Sequence, residues 1–358
     1  MSNDAPAFTG ETECRSLQAA DNHGTVGGRP TMKDVAARAG VGLKTVSRVV
    51  NGEPGVTPDT AERVRAAIEA LGFRRNDSAR VLRKGQTASI GLVLEDVGNP
   101  FYSTLARAVE DVAHGNGSLL FMGSSDEDPE RERKLTLTFC ARRVDGLIIV
   151  PASTDHTYLL PEIAAGIAVV FADRPPGLIE ADVVLTDNVG GARDGVGHLI
   201  GQGHTRIGYI GDAPHIYTAG QRLRGYQQAM AAARLQIQEH WVAMALAQPE
   251  IIQRAVGRML DGPAPVTAVL CGNNRISVNV LRELAARDAH IATVGFDDFE
   301  LADLLTPGVT VVAQDPGQMG HIAAELLFRR LSGEQGPAQR IELPTRLVIR
   351  GSGEIPPA

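Results

Sequence analysis

The sequence predicts an all-α helix-turn-helix headpiece followed by a larger α/β body of two lobes, each built on a doubly wound parallel sheet. Three observations carry that expectation. Charge is segregated along the chain; three short capped helical patterns crowd into residues 29–75; and from Ile90 onward short β-rich runs alternate with amphipathic helical stretches. The 358 residues hold 35 Lys and Arg against 42 Asp and Glu, a net charge of −7. By segment, residues 1–28 are net −3, residues 29–87 net +6 and the remainder net −10. A small basic module is joined to a large acidic one, which the average conceals.

Length and composition exclude several classes. At roughly 100–200 residues per domain the chain holds two or three domains. With 43% hydrophobic and 22% charged residues it is an ordinary globular composition rather than a disordered or collagenous one. Its three cysteines, Cys14, Cys140 and Cys271, have no zinc or CxxC spacing, so a reducing cytoplasm is expected. The longest apolar run, Ile163 to Ala172, is about half a membrane span, and the acidic N-terminus has no signal pattern. The expectation is a cytoplasmic, nucleoid-associated protein with no membrane partner.

Taken in order, residues 1–28 have no apolar period and read as a disordered arm. Thr31-Met-Lys-Asp34 forms a capping box ahead of Val35, Ala36 and Ala39 on one helical face, and Gly40 stops that helix. Leu43 to Asn51 resumes the helical period with Val46, Val49 and Val50 turned inward. Thr57-Pro58 then caps a third helix carrying Val64, Ala67, Ile68 and Leu71, closed by Gly72. Ten strands are expected beyond residue 88: 89–94, 119–122, 146–150, 168–171, 183–186, 206–210, 266–270, 291–296, 309–313 and 347–350. Helices are expected between most of them, including 104–113, 222–233, 276–287 and 317–331. Ten strands are too many for one compact sheet of this kind, so two lobes follow, with a ligand crevice at the strand C-termini.

The run from Lys33 to Gly52 carries the strongest motif. A helix, a glycine-containing turn and a second short helix with basic and polar groups on its open face is the geometry of a helix-turn-helix. Lys44 and Arg48 lie one turn apart, so both reach into a major groove, where Lys or Arg reads guanine O6 and N7. Leu43, Thr45, Ser47 and Asn51 share that helix, and Leu43 is placed to touch a thymine methyl.

The segments V-A-x-x-A-G-V, T-V-S-R-V-V-N-G, V-x-P-x-T and V-x-x-A-I-x-x-L-G-F resemble the DNA-binding headpiece of the lac repressor and galactose repressor family. The match continues through Asn76, Ala79, Leu82, Arg83, Gly85 and Thr87 into Ile90-Gly91. The resemblance implies DNA contacts from Thr31, Leu43, Lys44, Thr45, Ser47, Arg48, Asn51, Asn76, Ala79, Leu82 and Arg83. It also implies a hinge over 76–87 that becomes helical on DNA and wedges Leu82 into the minor groove, unstacking a base step to allow a bend. Gly42 departs from the family, which usually has a capping Ser or Thr there; the helix loses little, but a phosphate contact goes.

For the body, the resemblance implies a periplasmic-binding-protein-like domain over 88–358. Its N-lobe spans about 88–187 and 316–344, its C-lobe about 188–313 and 345–358. Three places match the family's effector pocket: Asn99-Pro-Phe-Tyr102, bringing Phe101 and Tyr102 to the crevice; Gln221-Arg-Leu-Arg-Gly-Tyr226, bringing Arg222; and Gly295-Phe-Asp-Asp298, bringing Asp297. Asn273 is the fifth effector-binding residue. An arginine with an aspartate satisfies ligand hydroxyls in opposite donor and acceptor senses, which suits a sugar, polyol or nucleoside. Asn273-Asn274 in place of the family's N-D, and a glycine-free Met244–Glu250, leave the ligand's identity open.

Two other classes compete. An enzyme would need a chemical motif, and no G-x-G-x-x-G between strand and helix, Walker A, G-x-S-x-G or metal-ligand cluster is present. A transporter's solute-binding protein has the same two-lobed architecture but no use for a basic headpiece. The expectation is therefore a ligand-responsive transcription regulator, a repressor, needing no catalytic residue, metal or cofactor. It binds a palindromic double-stranded DNA operator as a homodimer, because one short recognition helix reads only a half-site. The C-terminal stretch has no heptad, so a tetramerising helix is not expected.

Overall fold

A computed structural model describes residues 30–74 and 87–357, which fall into two compact units. The expected hinge residues Asn76, Ala79, Leu82 and Arg83, and the arm over 1–28, lie outside the described residues.

The first unit is three helices: α1 (Met32–Ala39), α2 (Leu43–Asn51) and α3 (Pro58–Leu71). Each ends on a left-handed glycine, Gly40, Gly52 or Gly72, whose N–H returns to carbonyls of the last turn. Thr31 and Asp34 close the capping box at α1, whereas Gly42 leaves α2 without a side-chain cap. Val35, Val46 and Val64 are fully buried at the centre, and Val49, Val50, Ile68 and Leu71 pack around them half-buried. Arg63 on α3 donates to the Ala39 carbonyl at 2.9 Å, tying it to the turn between α1 and α2.

The second unit holds two six-stranded sheets. Strands β1 (Ser89–Leu94), β2 (Leu119–Ser124), β3 (Gly146–Ile149), β4 (Ala168–Ala172), β5 (Asp182–Thr186) and β11 (Arg340–Leu343) form the first, in the order β11-β5-β4-β3-β1-β2, parallel throughout. Strands β6 (Ile207–Gly211), β7 (Val242–Met244), β8 (Ala268–Cys271), β9 (Ala292–Phe296), β10 (Thr310–Ala313) and β12 (Arg346–Val348) form the second, in the order β12-β10-β9-β8-β6-β7. The helices are α4 (Pro100–Gly115), α5 (Pro129–Ala141), α6 (Leu160–Ala164), α7 (Asn188–Gly201), α8 (Tyr217–Ala232), α9 (Pro249–Asp261), α10 (Asn274–Ala286) and α11 (Pro316–Leu331).

Two strands are present beyond the ten expected, and one runs antiparallel where a parallel sheet is expected. β7 and β11 are edge strands of three and four residues, too short to display an alternation. β12 runs antiparallel to β10, because only two residues separate it from β11 and the chain arrives from the other sheet. Helices α4, α8, α10 and α11 start one to five residues earlier than their apolar period indicates. At α4, α5 and α11 an Asn or Asp cap is followed by proline at the first helical position, where the missing N–H costs nothing.

Both faces of each sheet are covered, so interior strands are buried along their whole length; β1, β3, β5, β6, β8 and β9 have no exposed residue. Helix pairs close by contact at glycine. A Cβ at Gly320 on α11 would lie 2.4 Å from the Leu105 carbonyl on α4, and one at Gly225 on α8 would lie 2.3 Å from the Val189 carbonyl on α7.

One buried polar cluster fixes loops beside the first sheet. Glu132 on α5 is fully buried; it accepts N–H from Ala152 and, at 3.3 Å, Ser153, and the Tyr158 hydroxyl at 3.1 Å. His156 Nε2 lies 3.0 Å from the same carboxylate, and its Nδ1 donates to the Pro176 carbonyl at 2.7 Å. Removing the carboxylate strands several buried donors at once. Glu132→Ala is expected to lower unfolding stability by about 3 kcal/mol, read by urea denaturation of the full chain; a loss under about 1 kcal/mol would contradict the role given to Glu132.

Candidate functional site

The chain crosses between the two sheets after β5, after β10 and between β11 and β12. Parallel strands buried on both faces leave their carboxyl ends as the positions where polar groups meet an opening. Here residues just past six strands converge on one crevice: Glu95 after β1, Asp173 and Arg174 after β4, Asp212 after β6, Gly272 and Asn273 after β8, Asp297 after β9 and Gln314 after β10. Phe101 and Tyr102 from the first turn of α4, and Arg222 from α8, complete the lining.

All five expected effector residues line this crevice. Arg222 is buried; its Nε donates to Asn188 Oδ1 at 2.7 Å and its Nη1 to the Gly272 carbonyl at 2.6 Å. Its guanidinium lies 3.9 Å above the Phe296 ring and 3.6 Å from Asp297 Oδ2. These contacts leave Nη2 for a ligand acceptor. Asp297 also accepts from the Gln314 amide. Asn273 caps α10 through Oδ1, accepting from Ile276 N–H at 2.8 Å, and donates Nδ2 to Asp212 at 3.0 Å. Phe101 and Tyr102 stand edge to face with centroids 5.0 Å apart, both buried. Tyr102 enters the site through its hydroxyl, which donates to Asp173 Oδ2 at 3.4 Å and accepts from Arg174 Nη2 at 3.3 Å, rather than through an open stacking face.

Glu95, Asp173, Arg174, Asp212, Asn188 and Gln314 also belong to the site or brace it, and no sequence motif marks them. Their common signal is position: each polar residue follows directly or within two residues on an apolar strand. Asp173 and Asp297 also have left-handed backbones, φ 66° and 69°, which aspartate tolerates better than bulkier residues and which turn the chain out of the strand.

Arg174 is the electrostatic centre of the first lobe's share. It meets Glu127 through two hydrogen bonds, 2.8 and 2.5 Å, and donates to the Pro151 carbonyl at 2.8 Å. Glu95 Oε2 lies 3.6 Å from Nη2 and Asp173 Oδ2 3.5 Å from Nε. Burial opposes its charge, but the surrounding Tyr102, Glu127 and Asp173 hold it protonated. Burial raises the carboxyls of Asp173 and Asp212, and burial with the neighbouring Glu127 charge pushes Glu95 up to about 7. Across the crevice, Asn274 donates to Asn99 Oδ1 at 2.9 Å and Arg275 pairs with Asp96. Among the described residues no group of His, Cys, Asp and Glu has the geometry of a metal site.

In the other unit, α2 turns Val46 inward and leaves Leu43 and Lys44 exposed, with Thr45, Ser47, Arg48 and Asn51 half-buried. Asn51 Nδ2 bonds Ser47 Oγ at 3.3 Å and Glu53 at 3.2 Å, which holds the end of the helix. Thr31 serves α1 as its cap.

Residues 31–76 match the model for bacterial regulatory proteins of the lacI family, and residues 196–353 match that for a periplasmic binding protein-like domain. The HTH-type transcriptional regulator DegA of Bacillus subtilis is 32% identical over 336 residues, covering 90% of this chain and 98% of its own. The chain belongs to the lacI family. Among solved structures, a complex of the transcriptional regulator CelR with cellobiose is similar at 30% identity with a TM-score of 0.67, covering 90% of this chain and all of that one. The lac repressor dimer bound to operator and an anti-inducer shares the fold, with a TM-score of 0.80 at 24% identity over 91% of this chain and 99% of the other. This lacI-family protein is thus a transcription regulator with a helix-turn-helix DNA-binding domain and a periplasmic-binding-protein-like body. No helix among its described residues is long and apolar enough to cross a membrane.

Because Arg174 balances Glu127 and Asp173 inside the protein, its neutral replacement leaves buried carboxylates without a partner. Arg174→Met is expected to lower stability by about 3 kcal/mol in urea denaturation, and adding Glu127→Gln is expected to recover part of the loss. Additive losses in the double variant would contradict the pairing.

Proposed function

We propose that this regulator binds a palindromic operator as a homodimer and releases or tightens its grip when a small polyhydroxylated effector, a sugar, polyol or nucleoside, enters the crevice. The observation that carries the reading is the facing of Arg222 and Asp297, held by Asn188 and Gln314 on two of the crossing segments, in a crevice shared by both lobes. An effector there gains donors and acceptors from both lobes together, so its affinity differs between lobe arrangements, and that difference is what shifts DNA affinity. The Asn274–Asn99 and Arg275–Asp96 contacts bridge the same lobes and would be remade as they move. The cellobiose complex of CelR supports a sugar-class ligand. No turnover is assigned to the crevice.

On this reading residues 29–75 are the headpiece, 76–87 the hinge and 88–358 the effector and dimerisation body. Lys44 and Arg48 read base edges; Leu43, Thr45, Ser47 and Asn51 flank them; Thr31 meets a phosphate; Asn76, Ala79, Leu82 and Arg83 act at the operator centre. The protein works in the cytoplasm, on the nucleoid. Two apolar surfaces support dimerisation. Leu119, Phe121 and Met122 are exposed on the edge strand β2, and Leu301, Leu304 and Leu305 in the loop after β9, with Leu304 at 73% exposure. Open edges and apolar clusters of this kind are usually covered by a partner, here a second copy that doubles the half-site.

The test is gel-shift titration on operators selected from random duplexes, with and without candidate sugars, polyols and nucleosides. An effector is expected to change operator affinity by about five- to 150-fold, and Arg222→Ala or Asp297→Ala to abolish that change; a response that survives both overturns the pocket assignment. Leu304→Asp with Leu119→Asp is expected to give a folded monomer in sedimentation, with operator binding lost. A dimer that persists in the double variant puts the interface elsewhere.

A further inference from the structure

The crevice has a charge imbalance that hydroxyl recognition alone does not explain. Its lining carries four carboxylates, Glu95, Asp173, Asp212 and Asp297, against two guanidiniums, Arg174 and Arg222. Neither guanidinium is free to neutralise them all. Both terminal nitrogens of Arg174 are taken by a fifth carboxylate, Glu127, together with Pro151 and Tyr102. Arg222 spends two nitrogens on Asn188 and Gly272. Arg275, at the rim, pairs with Asp96.

The carboxylates face one another from opposite lobes. Burial raises the proton affinity of Glu95, Asp212 and Asp173, and a like charge from the opposite lobe adds to it: Asp212 acts on Glu95, Glu127 on Asp212 and Asp297 on Asp173. A second, independent feature points to a ligand. Asp173 is 2% exposed and lines the crevice, yet its Oδ1 has no hydrogen-bond partner. Its other oxygen is served by Tyr102 and approached by Arg174. A buried carboxylate oxygen left in this way is open to a donor on a bound ligand.

We propose that the effector is a sugar or polyol bearing a protonated amine, its ammonium held among Glu95, Asp173 and Asp212. This rests on the crevice being the effector site. The ammonium supplies three donors and a positive charge, so it fills Asp173 Oδ1 and cancels the repulsion between lobes in one step. Its hydroxyls go to Asp297 and to the remaining nitrogen of Arg222. A phosphorylated sugar meets the opposite situation: one spare arginine nitrogen against several carboxylates.

The test is isothermal titration of the full-length protein with matched pairs: D-glucosamine and D-glucose, D-galactosamine and D-galactose, D-mannosamine and D-mannose, 1-amino-1-deoxysorbitol and sorbitol, together with the three hexose 6-phosphates. At least one amine is expected to bind about tenfold or more tightly than its hydroxyl counterpart. That advantage is expected to vanish in the double variant E95Q/D212N, both substitutions being nearly isosteric, with folding verified by circular dichroism. If every neutral partner binds as tightly as its amine, if a 6-phosphate binds tightest, or if no amine binds, the amine is overturned. A neutral sugar that binds and shifts operator affinity in the same protein leaves the effector site standing and removes only the ammonium. The reading of the crevice as the effector site fails separately, if the response to any effector survives Arg222→Ala and Asp297→Ala.

Discussion

Parallel strands covered on both faces constrain everything else in the body. Their interiors admit only apolar side chains, and β1, β3, β5, β6, β8 and β9 are buried throughout. Polar chemistry is thereby confined to strand ends. Since the chain crosses between the sheets three times, carboxyl ends from both deliver their polar residues to the same crevice. Left-handed Asp173 and Asp297 are the local expression of that constraint: the chain leaves the strand abruptly and its side chain turns toward the opening.

Burying so many carboxylates together is costly unless they are paired. Arg174 and Arg222 divide the task, one in each lobe, and each is braced by backbone carbonyls as well as by side chains. The pairing is incomplete, which leaves the two lobes repelling at some points, Glu95 with Asp212, and joined at others, Asn99 with Asn274 and Asp96 with Arg275. Balanced attraction and repulsion across a crevice is a suitable basis for two arrangements of similar free energy, the condition for a ligand of modest size to choose between them.

Much of this was legible in the chain itself. Capping threonines, stop glycines and the period of Val35, Val46 and Val64 specify the three-helix unit, because the signals are local and consistent with one another. The alternation of strand and helix gave the two-sheet body. Edge strands β7 and β11 escaped, being too short to carry a pattern, and β12 reversed direction because its neighbour is set by where the chain re-enters the second sheet. Of the crevice, Phe101, Tyr102, Arg222, Asn273 and Asp297 could be named from motifs. Glu95, Asp173, Arg174 and Asp212 could not, since a charged residue after a strand is as often a solvated turn.

The sequence by itself determined which segments are basic or acidic, where helices start and stop, and that a DNA-reading unit precedes an α/β body. These depend on side-chain type and spacing over a few residues. Only the tertiary structure decided which charges are buried together and which are already spent. Arg174 and Glu127 are 47 residues apart, Asn99 and Asn274 175, and their partnership exists only once the two sheets stand with their strand ends facing. The net charge of −7 thus has a location that composition does not reveal: part of it lies inside the crevice, where burial makes it act on whatever binds.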